Sequence, residues 1–325
     1  MGRRGSVFIL AMWAALMLGM IAMALGSRGS AAIRVINRAA RQAEAAAAAS
    51  GGLQLAVAVL GQDETTGYDL LNETWAIGET AFAARPVGDG RVTIRPGTLE
   101  GPPRYGLSDE ERKLNLNTAP HELLAGLVRE AGGLPADQAG AVAQAIEDWR
   151  DEDRDQRQAG AEQFYYLGLE VPYACKDGPF DVVEELALVR GVTPQLLLRL
   201  RPYVTVYGGG TININTASET ILRAAGLSPA GVLGVRQFRA GEDDVPGTAD
   251  DRPIIAPQAI AGELALFVPL EDLALLSDQA RDGVWGVRSD VFSADIEAVT
   301  SDGRQGLSVA CIFDRDGRVL AWEER

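Results

Sequence analysis

The densest group of chemically capable side chains lies between Ile146 and Tyr166, in the run IEDWRDEDRDQRQAGAEQFYY. Asp148, Asp151, Asp153 and Glu162 offer several hard oxygen donors within one short stretch. A calcium ion takes about six to eight such oxygens at about 2.4 Å. Crowded together without a cation, these carboxylates repel one another. The run is not an EF-hand, because the spaced Asp/Asn pattern and its closing Glu are absent. Two readings stand on the residues alone: a metal loop, or a solvated helix end whose acids are balanced by Arg150, Arg154 and Arg157. An enzymatic reading, a hydrolase centred on Asp151 and Glu162, finds no supporting pocket motif.

Elsewhere the chemistry is sparse. There is no G-x-S-x-G, Walker loop or G-x-G-x-x-G, and the one histidine, His121, follows Pro120 at a helix start without a nucleophile motif. It reads as a surface residue. Cys175 and Cys311 are the only cysteines and are candidates for one disulfide if the body is extracytoplasmic. A second acidic loop, Glu242–Asp244 to Asp250–Asp251, contains proline and glycine and reads as exposed. The net charge of −15 argues against nucleic-acid phosphates, since no basic excess exists to release counterions. With 325 residues, 47% of them hydrophobic, the chain can form two or three domains beyond a membrane segment.

The elements that position these residues begin with an uncharged apolar run, Val7 to Leu25, after basic Arg3 and Arg4. At about 1.5 Å per residue it nearly spans a bilayer core of about 30 Å. The run exceeds a signal-peptide core in length. From Ala31 to Leu60 the sequence stays rich in helix formers and free of proline, interrupted only by Gly51-Gly52. One long helix is therefore expected to leave the membrane and enter the body. Arginines flank the span on both sides, so charge counting does not orient it.

Beyond Gly61, residues 81–95 read as a hairpin turning at Gly88-Asp89-Gly90. Val291–Thr300, Leu307–Phe313 and Arg318–Trp322 read as a meander with Asp-Gly turns. A sheet assembled from both ends of the chain follows, with a helical region between. That region carries an internal echo, KLNLNTA at 113–119 and TININTA at 211–217. Thr118 and Thr216, or Asn117 and Asn215, are the expected helix N-caps. The same N-x-N-T-A pattern occurs in helix-hairpin-helix DNA-binding modules, giving a membrane-tethered DNA-uptake protein as the alternative. However, the hairpin positions, Ala131–Pro135 and Val189–Thr193, lack the paired-glycine form.

The leader MGRRG before SVFILAMWAALML resembles the signal of pseudopilins. With D-W-x-D-x-D, G-A-E, PFDVVEEL at 179–186, VRGV at 189–192 and LRPYVT at 200–205, the chain resembles the K family of type II secretion minor pseudopilins along its whole length. The resemblance implies an α+β pseudopilin fold: a long N-terminal transmembrane helix, a small antiparallel sheet and a large inserted helical domain resembling SAM or helix-hairpin-helix folds. The expected divisions are a leader at 1–5, the helix at 6–60 (membrane part 7–25) and a first α/β part at 61–112. Helical subdomains at 113–210 and 211–280 follow, then a second β part at 281–325. It also implies prepilin-peptidase cleavage at Gly5–Ser6 and residence in the inner membrane with a periplasmic body. Minor pseudopilins I and J are the implied partners, with secreted substrates at the filament tip and no nucleic acid. The family's calcium implies a structural ion on Asp151, Asp153 and Glu162, with Asp148 assisting. The glutamate usual at the fifth mature position is replaced by Leu10, as in that family.

Overall fold

The computed structural model describes residues 4–97 and 105–325, with side chains at 4–6 and 25–32 outside the described set. Residues 1–3 of the expected leader, and the side chains of Arg4 and Ser6 on either side of Gly5, therefore lie outside the described residues. Helix α1 runs unbroken over Arg4–Leu60, about 85 Å. Val7–Ala24 presents apolar side chains outward on every face; Phe8 and Leu18 are 72% and 67% exposed. From Ala45 onward a helical stripe is buried: Ala45, Ala48, Ala49, Leu53, Ala56 and Leu60. Gly51-Gly52 does not interrupt the helix. A Cβ at Gly51 would sit 2.3 Å from Val87 Cγ1, and one at Gly52 would sit 2.9 Å from Ile296 Cγ2. The glycine pair is thus a notch through which α1 approaches the sheet.

Two single-turn helices follow, α2 (Thr74–Ile77) and α3 (Glu79–Phe82). Ala81 and Phe82, expected in the first strand, instead finish α3, where Phe82 fills the core. The hairpin is shorter than its apolar pattern: β1 (Arg85–Val87) and β2 (Gly90–Pro96) join through Gly88-Asp89. After β3 (Ser108–Asp109) the chain leaves the sheet for its helical excursion.

The excursion contains one architecture twice. In the first module β4 (Leu114–Asn115) leads to α4 (His121–Glu130), α5 (Ala136–Arg150), α6 (Gln163–Leu167) and α7 (Pro194–Leu200). It closes with β5 (Val204–Thr205), parallel to β4. In the second, β6 (Ile212–Asn213) leads to α8 (Glu219–Ala224), α9 (Pro229–Arg239), α10 (Ile260–Leu264) and α11 (Leu270–Arg281). It closes with β7 (Trp285–Gly286), parallel to β6 and a few residues beyond the expected limit at 280.

The echoed asparagines explain the duplication. Asn115 and Asn213 accept the backbone N–H of Asn117 and Asn215 at 2.9 and 3.0 Å. Asn117 grips both the N–H and the C=O of Phe180, at 2.7 and 3.0 Å. Asn215 grips Ile254 in the same way, at 2.9 and 3.0 Å. Arg150 donates to Leu116 O and Ala119 O, and Arg239 to Ile214 O and Ala217 O. The expected Thr or Asn caps are therefore not formed. Pro120 and Ser218 occupy the N-cap positions, and only Ser218 accepts an N–H, that of Ile221. An amide that can satisfy both groups of a distant buried peptide bond serves the fold better there than at a helix end.

The two modules share one apolar core and meet where α4 crosses α8. A Cβ at Gly126 would lie 2.0 Å from Ala224 O, a backbone atom that cannot swing aside. Gly126→Ala adds about 1 kcal/mol of helix propensity, yet overpacking costs about 1–3 kcal/mol. A net loss of stability is expected, measured as a lower denaturation midpoint with unchanged slope.

The chain then returns as β8 (Val291–Val299), β9 (Gly306–Asp314) and β10 (Val319–Glu324), as the meander pattern predicts. The sheet runs β1-β2-β8-β9-β10, antiparallel throughout, with β3 on β8. Phe292, Ala294, Ile296, Val309 and Phe313 pack against α1 in a second, separate core.

Candidate metal centre

Helix α5 brings Asp148 to its last turn, and Asp151 caps its C-terminal end. The loop after it folds back so closely that a Cβ at Gly160 would lie 2.0 Å from Asp148 Oδ2. Glu162 then starts α6, its Oε2 accepting the N–H of Gln163. This path gathers donor oxygens of Asp151, Asp153 and Glu162 within 4.8 Å of one another. A second group, Glu162, Cys175 and Asp177, meets the same limit and shares Glu162.

Asp148 belongs to neither donor group, though its charge acts on Glu162. It is fully buried and accepts Arg157 Nη1 at 2.7 Å and the Arg157 backbone N–H. Burial pushes its carboxyl up, against the pull of that guanidinium. It anchors the loop through Arg157, which also reaches Asp151 Oδ2 at 2.6 Å. Arg150, expected to balance the acids, is spent on the carbonyls of Leu116 and Ala119, while Arg154 lies 3.6 Å from Asp177.

Asp151 Oδ1, Glu162 Oε1 and Asp177 Oδ1 are buried and have no hydrogen-bond partner among the described residues. Buried carboxylate oxygens without donors are costly. Burial raises the Glu162 carboxyl to about 7, reinforced by Asp148, Asp177 and Asp151. A hard divalent cation answers the orphaned oxygens of Asp151 and Glu162, which stand in one donor group with Asp153, so these residues fit calcium; Asp177 meets Glu162 only in the other group. Asp177, remote in sequence from the acidic run, was not legible as a donor.

Other acidic features resolve differently. In the Glu242–Asp251 loop, Asp250 accepts the N–H groups of Glu242 and Asp243, and Asp251 those of Gly247 and Thr248. That loop is closed by its own backbone. His121 is partly exposed and its Nδ1 lies 2.9 Å from Glu147 Oε2. Cys175 and Cys311 are both free, one in the helical core and one in the sheet core.

Sequence reasoning missed the polar junction that fixes both modules to the sheet. Asp109 accepts Thr216 Oγ1 at 2.6 Å and Ser289 Oγ at 2.9 Å. Glu110 pairs with Lys113 at 2.6 Å and accepts Thr205 Oγ1 at 2.6 Å. Glu111 accepts the Val291 N–H, and burial pushes its carboxyl up to about 8. Nearby, Asp69 accepts the Ser289 N–H at 2.7 Å and pairs with Arg315, which also reaches Asp63 at 3.3 Å.

Comparison with known proteins completes the picture. The family model "Type II secretion system (T2SS), protein K" matches residues 107–209, which hold the first module and the metal loop. Type II secretion system protein K of Aeromonas hydrophila is 26% identical over 260 residues, covering 77% of this chain and 74% of the relative. The protein of that name from Klebsiella pneumoniae is 25% identical, covering 85% and 82%. Among solved structures, the GspK-GspI-GspJ complex from the enterotoxigenic Escherichia coli type 2 secretion system contains a chain with TM-score 0.64 and 20% identity. The match covers 90% of this chain and 99% of that one, a likeness of fold.

Proposed function

The chain belongs to the type II secretion system protein K family, and we propose that it caps the periplasmic pseudopilus as a minor pseudopilin. One observation carries this reading most: α1 is a single helix whose first third is bare and apolar, while its end lies on a sheet that holds a two-module body. Such a helix anchors a subunit in the inner membrane as a single pass, then packs among neighbouring helices through Ala11, Ala14, Ala15, Gly19 and Ala22. The body emerges between β3 and β8 and is too bulky for the interior of a stacked filament. Leu10 supports the terminal position, since a buried carboxylate there would need the amine of a subunit above it. Minor pseudopilins I and J are the partners that prime the filament with it, and secreted substrates meet the same tip.

Calcium, held by Asp151, Asp153 and Glu162 with Asp177 alongside, would neutralise the crowded acids and staple the loop to α6. Prepilin peptidase is the processing enzyme, cutting Gly5–Ser6. The intact mass of the protein from bacterial membranes tests this. A mature chain starting at Ser6, with or without an N-methyl group, is expected. A start near Leu25 or Ser27 would mark an ordinary signal peptide and sink the pseudopilin reading.

A further inference from the structure

Every charged residue before Glu44 is an arginine, six in all, in a chain whose net charge is −15. Four of them, Arg28, Arg34, Arg38 and Arg41, follow the apolar stretch Val7–Ala24 on the part of α1 that leads from it to the body. Basic residues ordinarily favour the cytoplasmic end of a span, so this placement needs a reason of its own. Arg34, Arg38 and Arg41 stand four and then three residues apart and share one face of the helix. At the same spacing that face continues as Ala45, Ala48 and Gly52, where α1 passes beneath the sheet. The arginine stripe therefore looks into the gap between the body and the bilayer. Arg41 is taken up by the body, 3.4 Å from Asp302. Arg34 and Arg38 are exposed and have no ion-pair partner among the described residues.

Geometry favours lipid as the occupant of that gap. Arg34 lies nine residues beyond Leu25, about 14 Å along the axis. Helical side chains lean toward the N-terminus, here toward the bilayer, which lowers the guanidinium by about one turn, about 5 Å. It then stands about 9 Å from the hydrocarbon, at the edge of a headgroup layer about 5–7 Å deep. Arg38, one turn higher, remains within about a Debye length of that layer. A tilt of about 20°, usual for a span, lowers the stripe further when it faces the membrane. An acidic body held over an anionic leaflet is repelled by it, and the stripe supplies the intervening cations. We propose that Arg34 and Arg38 form a docking stripe for anionic phospholipid headgroups, which holds the stored subunit against the periplasmic leaflet. The stripe rests on the reading of α1 as a membrane anchor.

Flotation of the full-length protein with vesicles of pure phosphatidylcholine isolates the anchor: failure to float rejects that reading and the stripe with it. Native mass spectrometry of the full-length protein, released from micelles carrying phosphatidylglycerol and phosphatidylcholine of identical chains, then reads the headgroup. The unaltered protein is expected to hold phosphatidylglycerol about tenfold more tightly, fading as ammonium acetate rises from about 50 mM to about 0.5 M. Arg34→Gln/Arg38→Gln should lose most of that preference, since each cation near an anionic surface is worth about fivefold. Arg85→Gln/Arg91→Gln, exposed on β1 and β2, should keep it. Equal retention of the two lipids by protein that floats, or an unchanged preference in Arg34→Gln/Arg38→Gln, overturns the stripe and leaves the anchor standing. So does a double variant that keeps its lipid preference but no longer assembles with I and J, which assigns the stripe to acidic side chains of a neighbouring subunit.

Discussion

Glu162→Gln removes the calcium-dependent stabilisation of the body, and in calcium-free buffer at pH 7.5 the same variant melts above the unaltered protein. The first effect follows from mass action. A ligand present at 1,000 times its dissociation constant adds about 4 kcal/mol to the folded state, which for a body of this size raises the melting temperature by about 10 °C. Glu162 belongs to both donor groups and has a free, buried oxygen, so its loss takes more of the site than loss of any other acid. The second effect follows from proton linkage. Burial raises the Glu162 carboxyl from its ordinary value to about 7 in the folded protein. The folded state therefore binds this proton more tightly than the unfolded state. Stability from the group is fully present below about pH 4.5 and is lost as pH rises through about 7. Glutamine cannot ionise and escapes that loss. Melting curves with and without calcium, at pH 5 and pH 7.5, check both signs; equal behaviour of the two proteins in calcium would contradict the site.

Arg315→Met costs about 3–5 kcal/mol at pH 7.5, the usual penalty for leaving a buried carboxylate without its cation. Asp69 is fully buried and already raised to about 6 by desolvation, with Arg315 and the Ser289 N–H pulling it down. Removing the guanidinium raises it further, so the carboxyl stays protonated over a wider range. The penalty therefore shrinks as pH falls through the variant's higher value toward about 6, below which Asp69 holds its proton in both proteins. Arg315 also donates Nε to Ser289 O at 2.8 Å, so some loss persists in acid. Urea unfolding of both proteins at pH 5 and pH 7.5 measures the difference; a penalty independent of pH would mean that packing against Phe292, 5.1 Å from the guanidinium, is what matters.

These two sites differ in how far the sequence reveals them. The acids of the metal loop stand within one short run, and the path from Asp151 to Glu162 is local enough for composition to expose it. Asp177 arrives after a further helix and turn, so no spacing rule points to it. Asp69 and Arg315 lie at opposite ends of the chain and meet only because α1 and the final meander share one sheet. Asp109, Glu110 and Glu111 are three consecutive acids, yet each is nearly fully buried. Burial of polar groups by distant partners leaves no periodic mark. Helix α1 and strands β8 to β10 do leave one: long helix-forming composition without proline, and alternation punctuated by Asp-Gly turns. The N-x-N-T-A echo was visible as a repeat, but its amide-to-backbone grip on Phe180 and Ile254 needs the fold to bring the loops together.

The role at a filament tip is tested most directly by co-expressing the body, without the membrane segment, with the I and J minor pseudopilins of the same bacterium. Size-exclusion chromatography with light scattering then reports the assembly. Co-elution of all three as one complex of fixed stoichiometry is the expected result. A folded body that elutes alone at every concentration, while I and J assemble without it, would contradict the account.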